Sequence, residues 1–226
     1  SNSLINLFFP GSWITNNTNE AGYQVNGPYG DTCDVLLQNA SQSVLNSYPC
    51  LILSGSVKLS DAEVQRYIAY VQQGGTLILN TAYLPQFPAY KSQFTGGTRQ
   101  SLADGKGTVV VYGPDYSVAN LDAILKEQLA KLIPFTFSKQ VEYLVNVKNG
   151  SLFVTLINNA GAYKAVNGSP YTDSSKDVSM TVKYTGGLTV KSVKELYYAT
   201  TESLSGNTLS VSLKAGQAKV YEFKFD

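Results

Sequence analysis

The chain has 226 residues, of which 43% are hydrophobic and 15% are charged. This hydrophobic fraction supports a sizeable core and excludes wholesale disorder, and the length suits one large domain or two ordinary ones. The 17 basic and 16 acidic side chains leave a net charge of +1. Such a balance offers no electrostatic basis for binding nucleic acid or an anionic membrane.

Histidine is absent from the sequence. Without an imidazole, the chain cannot contain a Ser-His-Asp triad, a Cys-His pair, a His-ligated zinc or a His proton shuttle. The two cysteines, Cys33 and Cys50, are not in a CxxC spacing, and two thiols alone cannot complete a tetrahedral metal site. We therefore expect neither a metal nor a cofactor.

Several features favour an extracellular or secreted protein. Charged residues are few and tyrosines number 16, and four N-glycosylation sequons occur, at Asn16, Asn39, Asn149 and Asn167. The start, Ser1-Asn2-Ser3, has neither Met nor a signal-peptide n-region, which indicates a cloning remnant or an internal cut from a longer protein. No run of about 18 apolar residues occurs, so we predict no membrane span.

The first half of the chain alternates strand and helix signals. Continuous apolar runs are typical of strands that are buried on both faces, as in a parallel sheet, and five are predicted: Leu4–Phe9, Cys33–Leu37, Cys50–Leu53, Thr76–Leu79 and Thr108–Tyr112. A short helix is expected within residues 41–47. A longer helix begins at Ser60 with Glu63 at capping-box spacing, and another begins near Ser117 and ends before Pro134. This alternation predicts an open, doubly wound, mostly parallel sheet.

From about residue 137 the apolar period becomes 2. The predicted strands lie at 141–147, 152–156, 178–182, 193–197, 208–213 and 219–225, with turn signals such as Asn149-Gly150 and Gly206-Asn207 between them. Short alternating strands without a helix signal favour an antiparallel β-sandwich. The fold class is therefore α/β plus all-β, with an α/β domain at 1–136 and a β-sandwich domain at 137–226.

The cysteines permit two interpretations, a disulfide or two buried thiols. Cys33 and Cys50 open two predicted strands at the same edge of the sheet. The geometry allows a disulfide if these strands are neighbours, whereas the usual doubly wound order places them about 10 Å apart. The extracellular composition favours the bridge, which would stabilise the fold by about 3 kcal/mol in the chain-entropy model.

Motifs spread along most of the chain resemble a known arrangement. The stretch from Tyr48 to Asn80, with its strand, capped helix and "YVQQGGTLI" sequence, is similar to the glutamine-amidotransferase-like domain of glycoside hydrolases, also called the β-galactosidase trimerisation domain. The run Gly105–Tyr112 resembles the last strand of that flavodoxin-like domain. The motifs at 153–159, 195–197 and 216–223 resemble the C-terminal sandwich of many such hydrolases.

The resemblance implies a barrel-type catalytic domain upstream and an accessory role for this chain, in oligomerisation, in the rim of the substrate cleft and in bracing. Its partners would be that catalytic domain or another subunit. Active glutamine amidotransferases need a nucleophilic Cys with a His partner, and neither Cys33 nor Cys50 lies in a nucleophile turn. The amidotransferase chemistry is therefore not expected here, and no catalytic residue is predicted.

Candidate ligand-binding residues lie where the predicted parallel strands end, because ligands of open α/β sheets bind at that edge. They are Trp13, Asn80, Tyr83, Tyr112, Asp115 and Tyr116. Aromatic faces beside amides and hydroxyls suit sugar rings, so carbohydrate is the expected ligand. Asp115 is the one carboxylate expected at this edge, and a glycosidase requires two. The alternative is that tyrosine is simply abundant and that Trp13 fills a gap beneath the loop 84–107.

Three functions remain open. The first is a non-catalytic accessory region of a secreted glycoside hydrolase, and the second is a stand-alone extracellular module, of a surface layer or otherwise, that binds glycan or protein. The third is an independent enzyme, which is disfavoured because no acid–base constellation can be assembled. The long connection from Tyr83 to Gly97, rich in Pro, Phe and Tyr, is expected to contact a partner.

Overall fold

The computed structural model describes residues 7–8, 28–29, 34–113, 118–163 and 167–226. These form two compact units, Asp34–Gln128 and Leu129–Asp226, the latter joined by the described residues before 34. The α-helices are α1 Gln42–Asn46, α2 Asp61–Gln72, α3 Pro88–Gln93 and α4 Val118–Leu132, and 3₁₀ helices span Thr81–Gln86 and Ser174–Lys176. The strands of the first unit are β1 Cys50–Leu53, β2 Thr76–Asn80, β3 Arg99–Asp104 and β4 Gly107–Tyr112.

The first unit contains one mixed sheet with the strand order β1-β2-β4-β3. Strands β1, β2 and β4 are parallel, as the apolar runs predict, and β3 pairs antiparallel with β4. The sequence predicted a loop over 84–107, so β3 and α3 are additions to that prediction. The sequence of β3 has no strong apolar pattern, because the strand lies at the edge of the sheet. Leu102 is its one buried side chain.

Two predicted strands of the first half are wrong over the residues that can be described. Asp34–Leu37, most of the second predicted strand, has no regular structure, and Val35 and Leu37 are exposed to solvent. Leu7 and Phe8, in the first predicted strand, are helical. A short apolar run becomes a strand only when a neighbour accepts its backbone hydrogen bonds, and no described strand pairs with Asp34–Leu37.

Helix α2 begins at the predicted capping box. The Ser60 hydroxyl accepts a hydrogen bond from the Glu63 backbone N–H at 3.4 Å, and the Glu63 carboxylate accepts one from the Ser60 backbone N–H at 2.7 Å. The bond from the Ser60 N–H, followed by bonds from the Ser60 hydroxyl and the Gln38 amide to the same carboxylate, holds the pKa of Glu63 below its usual value. The apolar face of α2 packs on β2 and β4. One core therefore joins helix and sheet, with Val71, Leu77 and Val109 fully buried in it.

The second unit is β-rich. Its strands are β5 Phe135–Phe137, β6 Glu142–Lys148, β7 Ser151–Ile157, β8 Ala162–Tyr163, β9 Tyr171–Thr172, β10 Val178–Tyr184, β11 Val190–Glu195, β12 Thr200–Glu202, β13 Leu204–Ser205, β14 Thr208–Leu213 and β15 Ala218–Phe225. The two larger sheets, β13-β14-β10-β5 and β12-β11-β15-β7-β6, are antiparallel. Residues of both sheets form one hydrophobic core.

The turn chemistry of this unit follows the sequence closely, with one exception. Asn149 and Gly150 both have positive φ, of 50° and 77°, as the two-residue turn between β6 and β7 requires. Strand β11, however, ends at Glu195 rather than at the predicted Tyr197, and residues 196–199 form a turn.

No helix among the described residues is long and apolar enough to span a membrane.

Cys50 opens β1, whereas Cys33 lies outside the described residues. The disulfide therefore stays a prediction.

Candidate functional site

The carboxyl edge of the parallel strands is the candidate site that the sequence selects. Leu53 pairs with Leu79 across β1 and β2, and Asn80 pairs with Tyr112 across β2 and β4, so the three strands end level with one another. Asn80, Tyr83 and Tyr112 lie at this edge, as the sequence predicts. Trp13, Asp115 and Tyr116, the other three predicted ligand-binding residues, lie outside the described residues.

Asn80 is fully buried and has a local structural role. Its Oδ1 accepts a hydrogen bond from the Ala82 backbone N–H at 2.9 Å and thereby caps the 3₁₀ helix that follows β2. Its Nδ2 has no hydrogen-bond partner among the residues that the structure describes. A buried amide donor without a partner costs about 1–3 kcal/mol, and this amide is not exposed to solvent.

The Tyr83 hydroxyl forms hydrogen bonds to the loop that follows β1, at the same edge. Its hydroxyl lies 2.9 Å from the Ser54 carbonyl oxygen and 3.0 Å from that of Gly55, and it accepts a hydrogen bond from the Val57 N–H at 3.3 Å. Gln86 extends the attachment: its Oε1 accepts from the Leu59 N–H and its Nε2 donates to the Val57 carbonyl oxygen. The 3₁₀ helix therefore holds residues 54–59 in place through side chains.

Gly113, which follows Tyr112, packs closely against the start of that helix. The Gly113 N–H donates to the Thr98 carbonyl oxygen at 3.1 Å, and a Cβ on Gly113 would lie 2.1 Å from Thr81 Oγ1. Tyr83 and Tyr112 are only 2% and 1% exposed. Neither ring therefore presents a face on which a sugar from solvent could stack. Their aromatic surface belongs to the protein interior.

An ion pair that the sequence analysis missed lies beside this edge. Arg99, at the start of β3, pairs with Tyr112 across the sheet, and its guanidinium donates two hydrogen bonds to the Glu127 carboxylate of α4, one of them 2.6 Å long. The neighbouring carboxylate raises the pKa of Arg99. The sequence contains little evidence for this ion pair, because Arg99 lies in a stretch without apolar alternation and Glu127 lies on the polar face of a helix.

The carboxylates of the first unit are largely engaged in structural contacts. Glu63 caps α2, Glu127 pairs with Arg99, Asp122 pairs with Lys126 at 2.8 Å, and Asp104 accepts a hydrogen bond from the buried Tyr90 hydroxyl at 2.8 Å. Burial, followed by the bond to Asp104, raises the pKa of Tyr90. Among the described residues, no three His, Cys, Asp or Glu side chains are grouped to hold a metal ion.

Loss of the Tyr83 hydroxyl should weaken the first unit measurably. We expect Tyr83→Phe to lower the free energy of unfolding by about 1–3 kcal/mol, because the substitution leaves a part-buried N–H and carbonyl of the 54–57 loop without their partner. Urea unfolding followed by circular dichroism measures this effect as a lower midpoint at an unchanged slope. The matched control is Tyr48→Phe, since the Tyr48 hydroxyl donates to Asp34 at an exposed position. Equal midpoints for the two variants would contradict the role assigned to Tyr83.

Comparisons with known proteins give structural similarity alone. No family model matches the chain, and no curated protein matches its sequence. Gan42B, a GH42 beta-galactosidase from G. stearothermophilus, matches with a TM-score of 0.52 and 13% identity over 79% of this chain and 32% of that structure. Alpha-L-fucosidase isoenzyme 2 from Paenibacillus thiaminolyticus matches with a TM-score of 0.50 and 11% identity over 85% of this chain and 43% of that structure.

The chain thus spans about a third to less than half of the length of these glycoside hydrolases. At such low identity the matches show the fold and no more. The α/β-plus-β-rich fold of this chain therefore occurs as one part of larger glycoside hydrolases, which agrees with the resemblance found in its sequence motifs.

Proposed function

We propose that this chain is a non-catalytic accessory region of a secreted glycoside hydrolase. In this proposal the first unit is an amidotransferase-like, doubly wound domain of the β-galactosidase trimerisation type, and the second is a β-sandwich. Their roles are oligomerisation, a contribution to the rim of the substrate cleft, and contact with carbohydrate. The observation that carries the proposal is a fold that matches only a part of two glycoside hydrolases with different named activities.

The chemistry of the described residues supports an accessory role. Glycoside hydrolysis uses two carboxyl groups about 5–10 Å apart across a cleft. In the first unit, Glu63, Asp104, Asp122 and Glu127 are each held by a partner within the fold. With no histidine in the whole sequence, acid–base catalysis would have to rely mainly on carboxylates, and these four serve as a helix cap, a hydrogen-bond acceptor and members of ion pairs.

The proposal predicts that the chain by itself hydrolyses no glycoside. We expect no release of nitrophenol above buffer from a panel of nitrophenyl galactosides, fucosides, rhamnosides, glucosides and arabinosides, with a known β-galactosidase as the positive control. Asp115→Asn should leave this result unchanged, because Asp115 is the one acid that the sequence places at the carboxyl edge. Turnover by the wild-type chain that Asp115→Asn abolishes would overturn the accessory assignment.

A stand-alone extracellular glycan- or protein-binding module is the alternative. The accessory region and the stand-alone module predict different sequences upstream of this chain in its gene. Upstream sequence with a (β/α)₈ pattern and a Glu at two strand ends supports the hydrolase, whereas a signal peptide followed directly by this chain supports the module.

A further inference from the structure

An exposed aromatic turn follows β11 in the second unit. Tyr197 and Tyr198 are 80% and 60% exposed, and their rings meet edge to face with centroids 4.8 Å apart. Leu196, which precedes them, is also exposed. We call residues 196–199 the aromatic turn. Most large apolar side chains of this unit lie in its core, so two adjacent exposed rings are unusual on its surface.

A buried carboxylate holds this turn in one conformation. Glu195 is 1% exposed, and its carboxylate accepts hydrogen bonds from the backbone N–H groups of Tyr197 at 3.2 Å and Tyr198 at 2.6 Å. Ala199 completes the turn with a φ of 56°, in the left-handed region that residues other than glycine seldom adopt. The two rings are thus presented outward by a preorganised backbone, which reduces the entropy lost when a ligand binds.

A second tyrosine pair lies at the same end of the sheet. The Leu196 N–H bonds to the Val220 carbonyl oxygen on β15, and two residues earlier on that strand Ala218 pairs with Ile157, the last residue of β7. The β8–β9 hairpin follows β7, and a Cβ on Gly216, in the turn before β15, would lie 3.4 Å from side-chain carbons of Ala162 and Thr172. In that hairpin the rings of Tyr163 and Tyr171 stack with centroids 5.3 Å apart.

The two tyrosine pairs follow strands that lie on either side of β15. Strands β11 and β7 flank β15, and strands in a sheet are about 4.8 Å apart, so their ends lie about 10 Å from each other. Tyr171 is exposed like Tyr197 and Tyr198. Exposed tyrosines therefore follow both strands that flank β15.

The chemistry of the aromatic turn favours a neutral glycan. Its side chains, and those of Thr200 and Thr201 after it, carry no charge. The carboxylates on either side of it are Glu195, which is buried, and Glu202, which accepts a hydrogen bond from the Thr200 hydroxyl at 2.7 Å, and their negative charge disfavours an anionic ligand. Fully covering two tyrosines hides about 300–500 Å², well below the roughly 800 Å² that each partner buries in a stable protein interface. Phenol rings provide flat apolar faces with a polar tip, which match the C–H faces and hydroxyls of sugar rings.

We propose that the aromatic turn binds a neutral polysaccharide, with Tyr197 and Tyr198 as its stacking platform. This inference deepens the carbohydrate contact in the proposed function but rests on a different surface from the carboxyl edge. A chain that binds polysaccharide here without belonging to a hydrolase would keep this inference and overturn the proposed function.

Native affinity electrophoresis of the full chain tests the surface directly. The gels contain soluble β-1,4-galactan, arabinogalactan, xyloglucan or dextran, and a bovine serum albumin lane corrects for sieving. We expect retardation in at least one polysaccharide. In that gel the double variant Tyr197→Ala/Tyr198→Ala should bind at least about tenfold more weakly, because removal of a central aromatic contact typically has an effect of this size.

The control is Leu188→Ala, which removes an exposed apolar side chain near the opposite end of β11 and should bind like the wild type. Because both tyrosines are exposed, the double variant should keep its melting temperature within about 2 °C. Absence of retardation in every gel, or equal retardation of wild type and double variant, overturns the inference. Sedimentation that shows a dimer which the double variant abolishes also overturns it, since the surface would then bind a second copy of the chain.

Discussion

Gly107→Ala should destabilise the first unit by about 3 kcal/mol or more, a larger effect than that expected for Tyr83→Phe. A Cβ at this position would lie 2.1 Å from the carbonyl oxygen of Val71 and 2.3 Å from that of Gly75. Both obstacles are backbone atoms, at the end of α2 and in the loop after it, so no side chain can rotate away. The strand β4 and the helix α2 would have to separate where Lys106 and Thr108 also bond to the same segment, at 3.1 and 3.2 Å.

Thermal unfolding followed by circular dichroism measures this loss as a fall in melting temperature of more than about 10 °C. The matched control is Gly187→Ala, because a Cβ there meets no atom within 4 Å and its backbone is not in the left-handed region. That variant should melt within about 2 °C of the wild type. If Gly107→Ala were as stable as Gly187→Ala, the close approach of β4 and α2 would be wrong.

Phe223→Ala should have the largest effect in the second unit, a loss of about 3–5 kcal/mol. Phe223 is fully buried on β15, and its ring meets the edge of Phe135 with centroids 4.9 Å apart. The ring lies in the core formed by both large sheets. Its removal would therefore leave a cavity between elements that are distant in sequence, where the backbone cannot collapse without breaking ladder hydrogen bonds.

Denaturant unfolding of the variant followed by circular dichroism should show this loss as a lower midpoint. Val147→Ala provides the comparison, because Val147 lies on β6 with its side chain exposed to solvent. It should change the free energy of unfolding by less than about 0.5 kcal/mol. A comparable loss in both variants would show that Phe223 does not hold the two sheets together.

Elements whose signals are local were predicted correctly from the sequence alone. The Ser60 and Glu63 capping box is present because its two hydrogen bonds join residues three apart in the chain. The parallel strands β1, β2 and β4 were predicted from continuous apolar runs, since a strand covered on both faces needs apolar side chains throughout. Asn149-Gly150 predicted its turn because few other residue pairs adopt two positive φ values.

Whether an apolar run pairs with a neighbouring strand depends on tertiary contacts, which its own sequence does not specify. Asp34–Leu37 has the composition of a strand and none of its structure, while Arg99–Asp104 has a weak pattern and is a strand because β4 accepts its hydrogen bonds. The same holds for the candidate site. Tyr83, Tyr112, Tyr197 and Tyr198 are chemically alike in the sequence, but packing buries the first two at the sheet edge and leaves the last two in solvent. Burial depends on residues far away in the chain, and composition near a strand end does not encode it.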